Sequence, residues 1–194
     1  MADNRFKKLL EPGYIGKVRT KNRMAKMGAH HGYYPYNEGY VDEKCYGFYE
    51  ALARGGVGLI AVQHSEIDFR KGMTLKVGFR FDDDKYIKDH AKFADITHKY
   101  NCPAFLELMH SGPHFRGQQF GLQPLAASSI PKNEMPKPTM EVAHEMTIAE
   151  VEEMVEKFIN AALRAEKAGF DGIVLNAGFS HFLNSFLSRA WNRR

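Results

Sequence analysis

The stretch from Met146 to Asn176 limits the fold of this chain more than any other. Thr147 followed by Glu150 is a capping box, in which each side chain satisfies a backbone N–H that the first helical turn leaves without a partner. Val151, Met154, Val155, Phe158, Ala162 and Ala165 then recur at helical spacing and form one apolar stripe. Lys167 suits the negative end of the helix dipole, and Gly169 suits the left-handed residue that stops a helix. Ile173-Val174-Leu175 follows as a short unbroken apolar run, the pattern of a strand covered on both faces. A long amphipathic helix feeding such a strand is half of a parallel α/β repeat. In parallel α/β folds chemistry lies past the carboxyl ends of the strands, which here means Asn176 to His181.

The same unit recurs upstream. Asp42 can cap a helix whose stripe is Cys45, Phe48, Tyr49 and Leu52. It stops at Gly55-Gly56, and Val57 to Val62 is a buried strand. Asp82-Asp83-Asp84 opens the next helix, with acidic side chains at the positive end of its dipole. Ile87, Ala91 and Ala94 give that helix an inner face, and Asn101 ends it. Pro103 to Met109 is the next strand, with a proline tolerated at its first position. Arg23 to Ala29 reads as a first strand, although the charged Lys26 lies inside it. Turn signals at Pro12-Gly13 and Gly16 predict a short hairpin within residues 5–22 that closes one end of the domain.

The segments that follow strands are long and polar, while the helix-to-strand joins are short. Residues 30–40, 64–82 and 110–145 read as loops. The last contains Pro113, Pro124, Pro131, Pro136 and Pro138, and an unstructured connection of that length inside a compact domain is usually functional. The order β-α-β-α-β-α-β with working loops on one side predicts an α/β fold, a partial (β/α)8 TIM barrel. It comprises about the first four β/α units preceded by an N-terminal hairpin, with residues 1–194 in one domain. A doubly wound sheet is the alternative, but no glycine-rich phosphate loop joins the first strand to its helix. Half a barrel leaves two strand edges unpaired and an apolar face uncovered. Either the sequence is part of a longer chain or the half-barrel pairs with another copy as a homo-oligomer. A terminus at Asn192-Arg193-Arg194, where a fourth helix is due, favours the longer chain.

Composition narrows the function classes. With 44% hydrophobic and 26% charged residues the chain has the make-up of a globular protein. The net charge is +4 and the pI about 9.0, yet no basic stripe interleaved with aromatics marks a nucleic-acid surface. Lys17, Arg19, Lys21 and Arg23 alternate as on the solvent face of a strand or hairpin. No apolar run approaches membrane-spanning length, and the start lacks a signal-peptide core, so a cytoplasmic protein is expected. Cys45 and Cys102 share no close spacing, so neither a disulfide framework nor a metal knuckle is expected of them; they read as buried small hydrophobes.

Several pieces of sequence together resemble the old yellow enzyme family of NADH:flavin oxidoreductases, in its 2,4-dienoyl-CoA reductase-like branch. They are Lys21-Asn22-Arg23, Ala53 to Ile60, Leu108-Met109-His110-Ser111-Gly112, Ala126 to Pro131, Ala168 to Gly172, and Phe186-Leu187-Ser188 with Asn192-Arg193-Arg194. Each is weak alone, but they occur in order over nearly the whole chain. The resemblance implies a barrel that holds FMN over the carboxyl ends of its strands, with NADH or NADPH as reductant. It implies hydride transfer through the flavin to a small-molecule enone or enoyl substrate. An iron–sulfur cluster, where relatives carry one, is bound by cysteines beyond the barrel. The resemblance also implies site residues. Met27, Gly28 and Ala29 match the strand-one flavin contacts, and small residues there let the backbone come close. His64 falls where the family has a small residue near the flavin. Glu107 matches a glutamine that binds the flavin pyrimidine ring. An ionised glutamate only accepts hydrogen bonds, but an apolar surrounding raises its pKa and restores a donor. Asn176 and Phe179 match the pair that grips the substrate carbonyl, and of these only Asn176 can donate. His181 matches the tyrosine that protonates the substrate, and histidine is a competent acid near neutral pH.

Two other classes stay open on sequence alone. His30, His31, His64, His110, His114 and His181 all follow strands, which raises a metal-dependent hydrolase on the same barrel, although no acidic ligand set accompanies them. A half-barrel with its tyrosine replaced also fits an inactive remnant or an interaction module.

Overall fold

The computed structural model describes residues 4–29, 39–73, 78–135, 137, 140–179 and 181–194, so His30 and His31 lie outside it. A single helical turn at Asn4–Phe6 and α1 (Lys7–Leu10) lead into the expected hairpin, β1 (Gly13–Ile15) against β2 (Val18–Thr20). Then come β3 (Ala25–Lys26), α2 (Glu43–Arg54), β4 (Leu59–Glu66), α3 (Phe69–Gly72), β5 (Phe79–Arg80) and α4 (Ile87–His98). The chain continues with β6 (Ala104–Met109), β7 (Leu125–Ala126), β8 (His144–Glu145), α5 (Ile148–Lys167), β9 (Gly172–Leu175) and α6 (Phe182–Leu187). The main sheet runs β3-β4-β6-β9 in parallel, with β5 added beside the end of β4. Helices connect its strands, as in the first part of a (β/α)8 barrel. No helix among the described residues is long and apolar enough to cross a membrane.

The caps fix where helices begin. Asp42 accepts from the Cys45 N–H at 3.1 Å, and Thr147 and Glu150 form the full reciprocal box at the start of α5. Glu150 accepts from the Thr147 N–H at 2.7 Å; that bond, with those to His144 and the Thr147 hydroxyl, holds its carboxyl down to about 2. Asp171 sets the register of the last strand: its carboxylate accepts from the Ala104 N–H at 2.9 Å, pinning the entry of β9 to that of β6.

Two sets of side chains fill the two faces of the sheet. Ile60, Val62, Leu106 and Leu108 pack outward against Tyr49, Phe79, Phe93 and Ala165, each worth about 1.5–3 kcal/mol when an aliphatic or aromatic side chain of this kind is fully buried. Leu59, Ala61, Phe105 and Val174 point inward, and Val18 of the hairpin packs beneath them. The hairpin thus closes the amino-terminal end of the sheet. Gly172 faces the Phe105 ring so closely that a Cβ there would lie 2.9 Å from it.

Several boundaries differ from expectation. The first strand shrinks to two residues, because it pairs only with the start of β4. The second strand reaches Glu66 and takes in His64, which the sequence places in a loop; a register shift between Val62 and Ser65 lets its end pair with both β5 and β6. Residues 64–82 therefore hold α3 and β5 rather than a loop. The proline-rich segment is organised by short helical turns and by the parallel bridge of β7 with β8. A fourth helix, α6, does form after β9. The inner face of α4 is His90, Phe93, Ala94 and Thr97, with Ile87 and Ala91 at its margin. On α5, Met154, Ala161 and Ala165 are buried, whereas Val155 of the expected stripe is exposed. The last strand is not covered on both faces, since Ile173 and Leu175 are exposed. Cys45 and Cys102 are buried thiols outside any disulfide, and burial pushes them up to about 12 and about 11, which leaves them unreactive.

Candidate active site

The carboxyl ends of β3, β6 and β9 bring Gly28, Glu107 and Asn176 together. Glu107 is 8% exposed, on the inward row of β6. Its Oε1 accepts from Asn176 Nδ2 at 2.8 Å, and the same amide lies 3.7 Å from the Met109 sulfur. Its other oxygen leans over Gly28, where a Cβ would sit 1.6 Å from Oε2. Only a residue without a side chain leaves Glu107 upright. Burial pushes the Glu107 carboxyl up, opposed by the Asn176 bond and by the charge of Lys26. Burial likewise lowers Lys26, opposed by Glu107. The lysine, which on sequence only weakened the case for a first strand, is the charged neighbour of the site. It donates to the Met27 carbonyl at 2.6 Å. Met27 and Ala29 are exposed beside Gly28, and His64 is half-buried on β4.

Asn176 begins the turn that carries His181. Its Oδ1 accepts from the Gly178 N–H at 3.1 Å, and the His181 N–H donates to the Gly178 carbonyl at 3.0 Å. Phe179 takes a left-handed backbone, φ 52°, and its ring is 86% exposed. His181 precedes α6 and lies beside His114, their ring centroids 5.3 Å apart. Burial holds His181 below its ordinary value, and the charge of His114 adds to this. His110 is different. It is fully buried against Phe182, and its Nδ1 accepts from the Gly112 N–H at 3.0 Å, which requires that nitrogen to be bare. Burial lowers it to about 4, so it is neutral near pH 7.

Of the histidines that suggested a metal, His30 and His31 lie outside the described residues, and His114 and His181 are neighbours. Among the described residues no group of three or more histidine, cysteine, aspartate or glutamate side chains is placed to hold a metal ion. In sequence His114 is one of six histidines that follow strands; the fold pairs it with His181. That contact depends on β6 and β9 being neighbours, which no local pattern reveals. Matching pieces from distant parts of the chain do meet: Arg194 Nε donates to the Ala127 carbonyl at 2.6 Å, and the Arg193 N–H donates to Ser128 Oγ at 3.0 Å.

The fold is a parallel α/β partial barrel, and the candidate site lies at the carboxyl ends of its strands. The chain belongs to the NADH:flavin oxidoreductase / NADH oxidase family, which matches residues 8–194. An NADH oxidase from Thermoanaerobacter brockii is 34% identical over 192 residues, covering 97% of this chain and 28% of that protein. Among solved structures, a 2-naphthoyl-CoA reductase in complex with 2-naphthoyl-CoA superposes with a TM-score of 0.89 at 21% identity, over 97% of this chain and 30% of that one. An old yellow enzyme homologue from Zymomonas mobilis gives a TM-score of 0.83 at 22% identity, over 96% and 53%. The chain thus spans from 28% to 53% of the length of these relatives. The family uses FMN with NADH or NADPH as reductant.

Proposed function

We propose that residues 1–194 form part of the flavin-binding barrel domain of an FMN-dependent ene-reductase, a cytoplasmic enzyme acting on small α,β-unsaturated carbonyl compounds such as enones or enoyl thioesters. The observation that carries this is the rim of Gly28, Glu107 and Asn176. The pyrimidine edge of an isoalloxazine presents an N–H between two carbonyl oxygens. A carboxyl group raised by burial offers one O–H donor and one acceptor, the pair that such an edge requires. Gly28 removes the side chain that would block the approach. The residues present therefore fit the ring end of FMN.

When bound, FMN supplies hydride transfer from NADH or NADPH and on to the activated C=C bond. The side chains supply position and protons. Glu107 holds the pyrimidine edge, and Met27, Gly28, Ala29 and His64 line the ring. Asn176 orients Glu107 through its amide and donates to the substrate carbonyl oxygen, where negative charge develops. His181 delivers a proton to the carbon next to that carbonyl. Phe179 has no donor, so the carbonyl is gripped from one side only.

In such barrels the phosphate site is built by the loops after strands seven and eight, which these four β/α units do not contain. The chain should therefore bind the ring and ignore the phosphate. Titration followed by flavin fluorescence should show weak quenching of FMN and of lumiflavin, which has no phosphate, with similar affinities. Glu107→Ala should abolish both. Tight, yellow-coloured retention of FMN but not lumiflavin, or no quenching of either, would refute the assignment.

A further inference from the structure

The segments after β6 and β9 are stitched to each other at several points. The Phe182 N–H donates to the His110 carbonyl at 3.0 Å. His181 shares a hydrogen bond with the Ser111 backbone, and His114 shares one with the Phe179 backbone. Each histidine thus hangs on its own segment and is tied to the other. The rings lie 5.3 Å apart by their centroids, with planes tilted by 59°. Among the described residues His181 Nδ1 is buried without a hydrogen-bond partner.

We propose that His114 is a positioning residue for His181: its tie to the Phe179 backbone fixes the turn that presents the His181 ring, and its charge sets the pH at which His181 takes up a proton. The inference rests on reading His181 as the proton donor. Protonation does not break either tie, because an imidazolium donates from both nitrogens. What changes is the charge. Burial and Lys137 lower His114, and burial and the charge of His114 lower His181, so the two rings take up protons as a coupled pair.

Among the described residues the other charged groups around the pair are few. His110 stands behind it from the β6 segment, neutral near pH 7. Beyond His110 are Lys71 and the ion pair of Lys157 with Asp68, whose atoms are 2.6 Å apart. Lys137 faces His114 from the long connection, and α6 has no titratable side chain between Phe182 and Leu187. His114 is therefore the neighbour whose removal should move His181.

The test is an NMR pH titration of the 194-residue chain, without flavin or substrate, following the His181 ring in wild type, His114→Gln and His114→Phe. Glutamine keeps an N–H for the Phe179 carbonyl but no charge; phenylalanine keeps neither. The wild type should show coupled uptake in two steps. In both variants the His181 midpoint should rise by about half to one pH unit, roughly a three- to tenfold gain in proton affinity. His114→Gln should keep the wild-type amide shifts of Ala177 to Phe179, and His114→Phe should move them. A His181 midpoint unchanged in His114→Gln, or amide shifts unchanged in His114→Phe, would overturn the proposal. Should His114→Phe not fold, His114→Gln and the two-step wild-type titration still decide. Failure of the ene-reductase reading has its own signature, His181→Phe reducing an enone as fast as wild type, and leaves this titration untouched.

Discussion

β6 and β9 lie side by side, parallel and in register, and each follows an amphipathic helix. Yet all residues of Ala104–Met109 are buried, while Gly172–Leu175 alternates between half-buried and exposed. Sequence does not separate them, since Phe105-Leu106 and Ile173-Val174 are equally apolar. What differs is the company. β6 has β4 on one side and β9 on the other, and α4 and α5 cover its outer face. β9 ends the sheet among the described residues. Beside it Ile159 and Leu163 of α5, 44% and 49% exposed, line one groove with Ile173 at 36%. Apolar character commits a segment to being a strand; burial is conferred by the neighbours on both sides.

The largest effect that follows is on stability. Leu106→Ala should cost about 3 kcal/mol in urea unfolding, as for a buried leucine whose cavity cannot collapse. Leu175→Ala should cost less than about 1 kcal/mol. Equal costs would break the comparison. A somewhat smaller effect is set by pH. His90 is buried among Phe79, Phe81 and Phe93, with Nδ1 donating to the Tyr86 carbonyl at 3.0 Å and Nε2 accepting from Ser65 Oγ at 3.1 Å. Burial lowers it to about 4, below its value of 6.5 when unfolded. The fold favours the neutral ring, so its stabilisation is full above pH 6.5 and lost as pH falls from 6.5 towards 4. The loss by pH 4 is about 3 kcal/mol, at about 1.4 kcal/mol for each tenfold change in proton affinity. Urea midpoints measured between pH 7 and 4 should fall steeply in wild type and less so in His90→Gln. His110, also at about 4, leaves a residual slope. The smallest effect belongs to the open side. Leu163→Lys should change stability by less than about 0.5 kcal/mol while reducing binding of a hydrophobic dye. A large loss of stability would mean that this face is covered after all.

The parts legible in sequence were those with local causes. Asp42, Thr147 and Glu150 announced their helices because a cap acts within one turn, and the strands after α2, α4 and α5 followed from helix stops and apolar runs. β5, β7 and β8 leave no mark in sequence, because these two-residue strands exist only through pairing with distant partners. His90 gives no signal in sequence, because a polar ring inside an aromatic cluster has no apolar signature. In the site, Glu107, Asn176 and His181 came from family resemblance, while the way Gly28 and Lys26 frame Glu107 appears only when β3 and β6 are brought to the same rim.

The contact of Gly172 with the Phe105 ring makes β9 a lever. Asn176 lies four residues farther along, about 13 Å at roughly 3.3 Å per residue. A methyl group at the base would have to push ring or strand aside, and a tilt of a few degrees there swings the tip by about 1 Å, a misplacement on the scale that slows an enzyme about a hundredfold. On the proposed function, a change at the floor of the barrel that touches neither flavin nor substrate would detune catalysis.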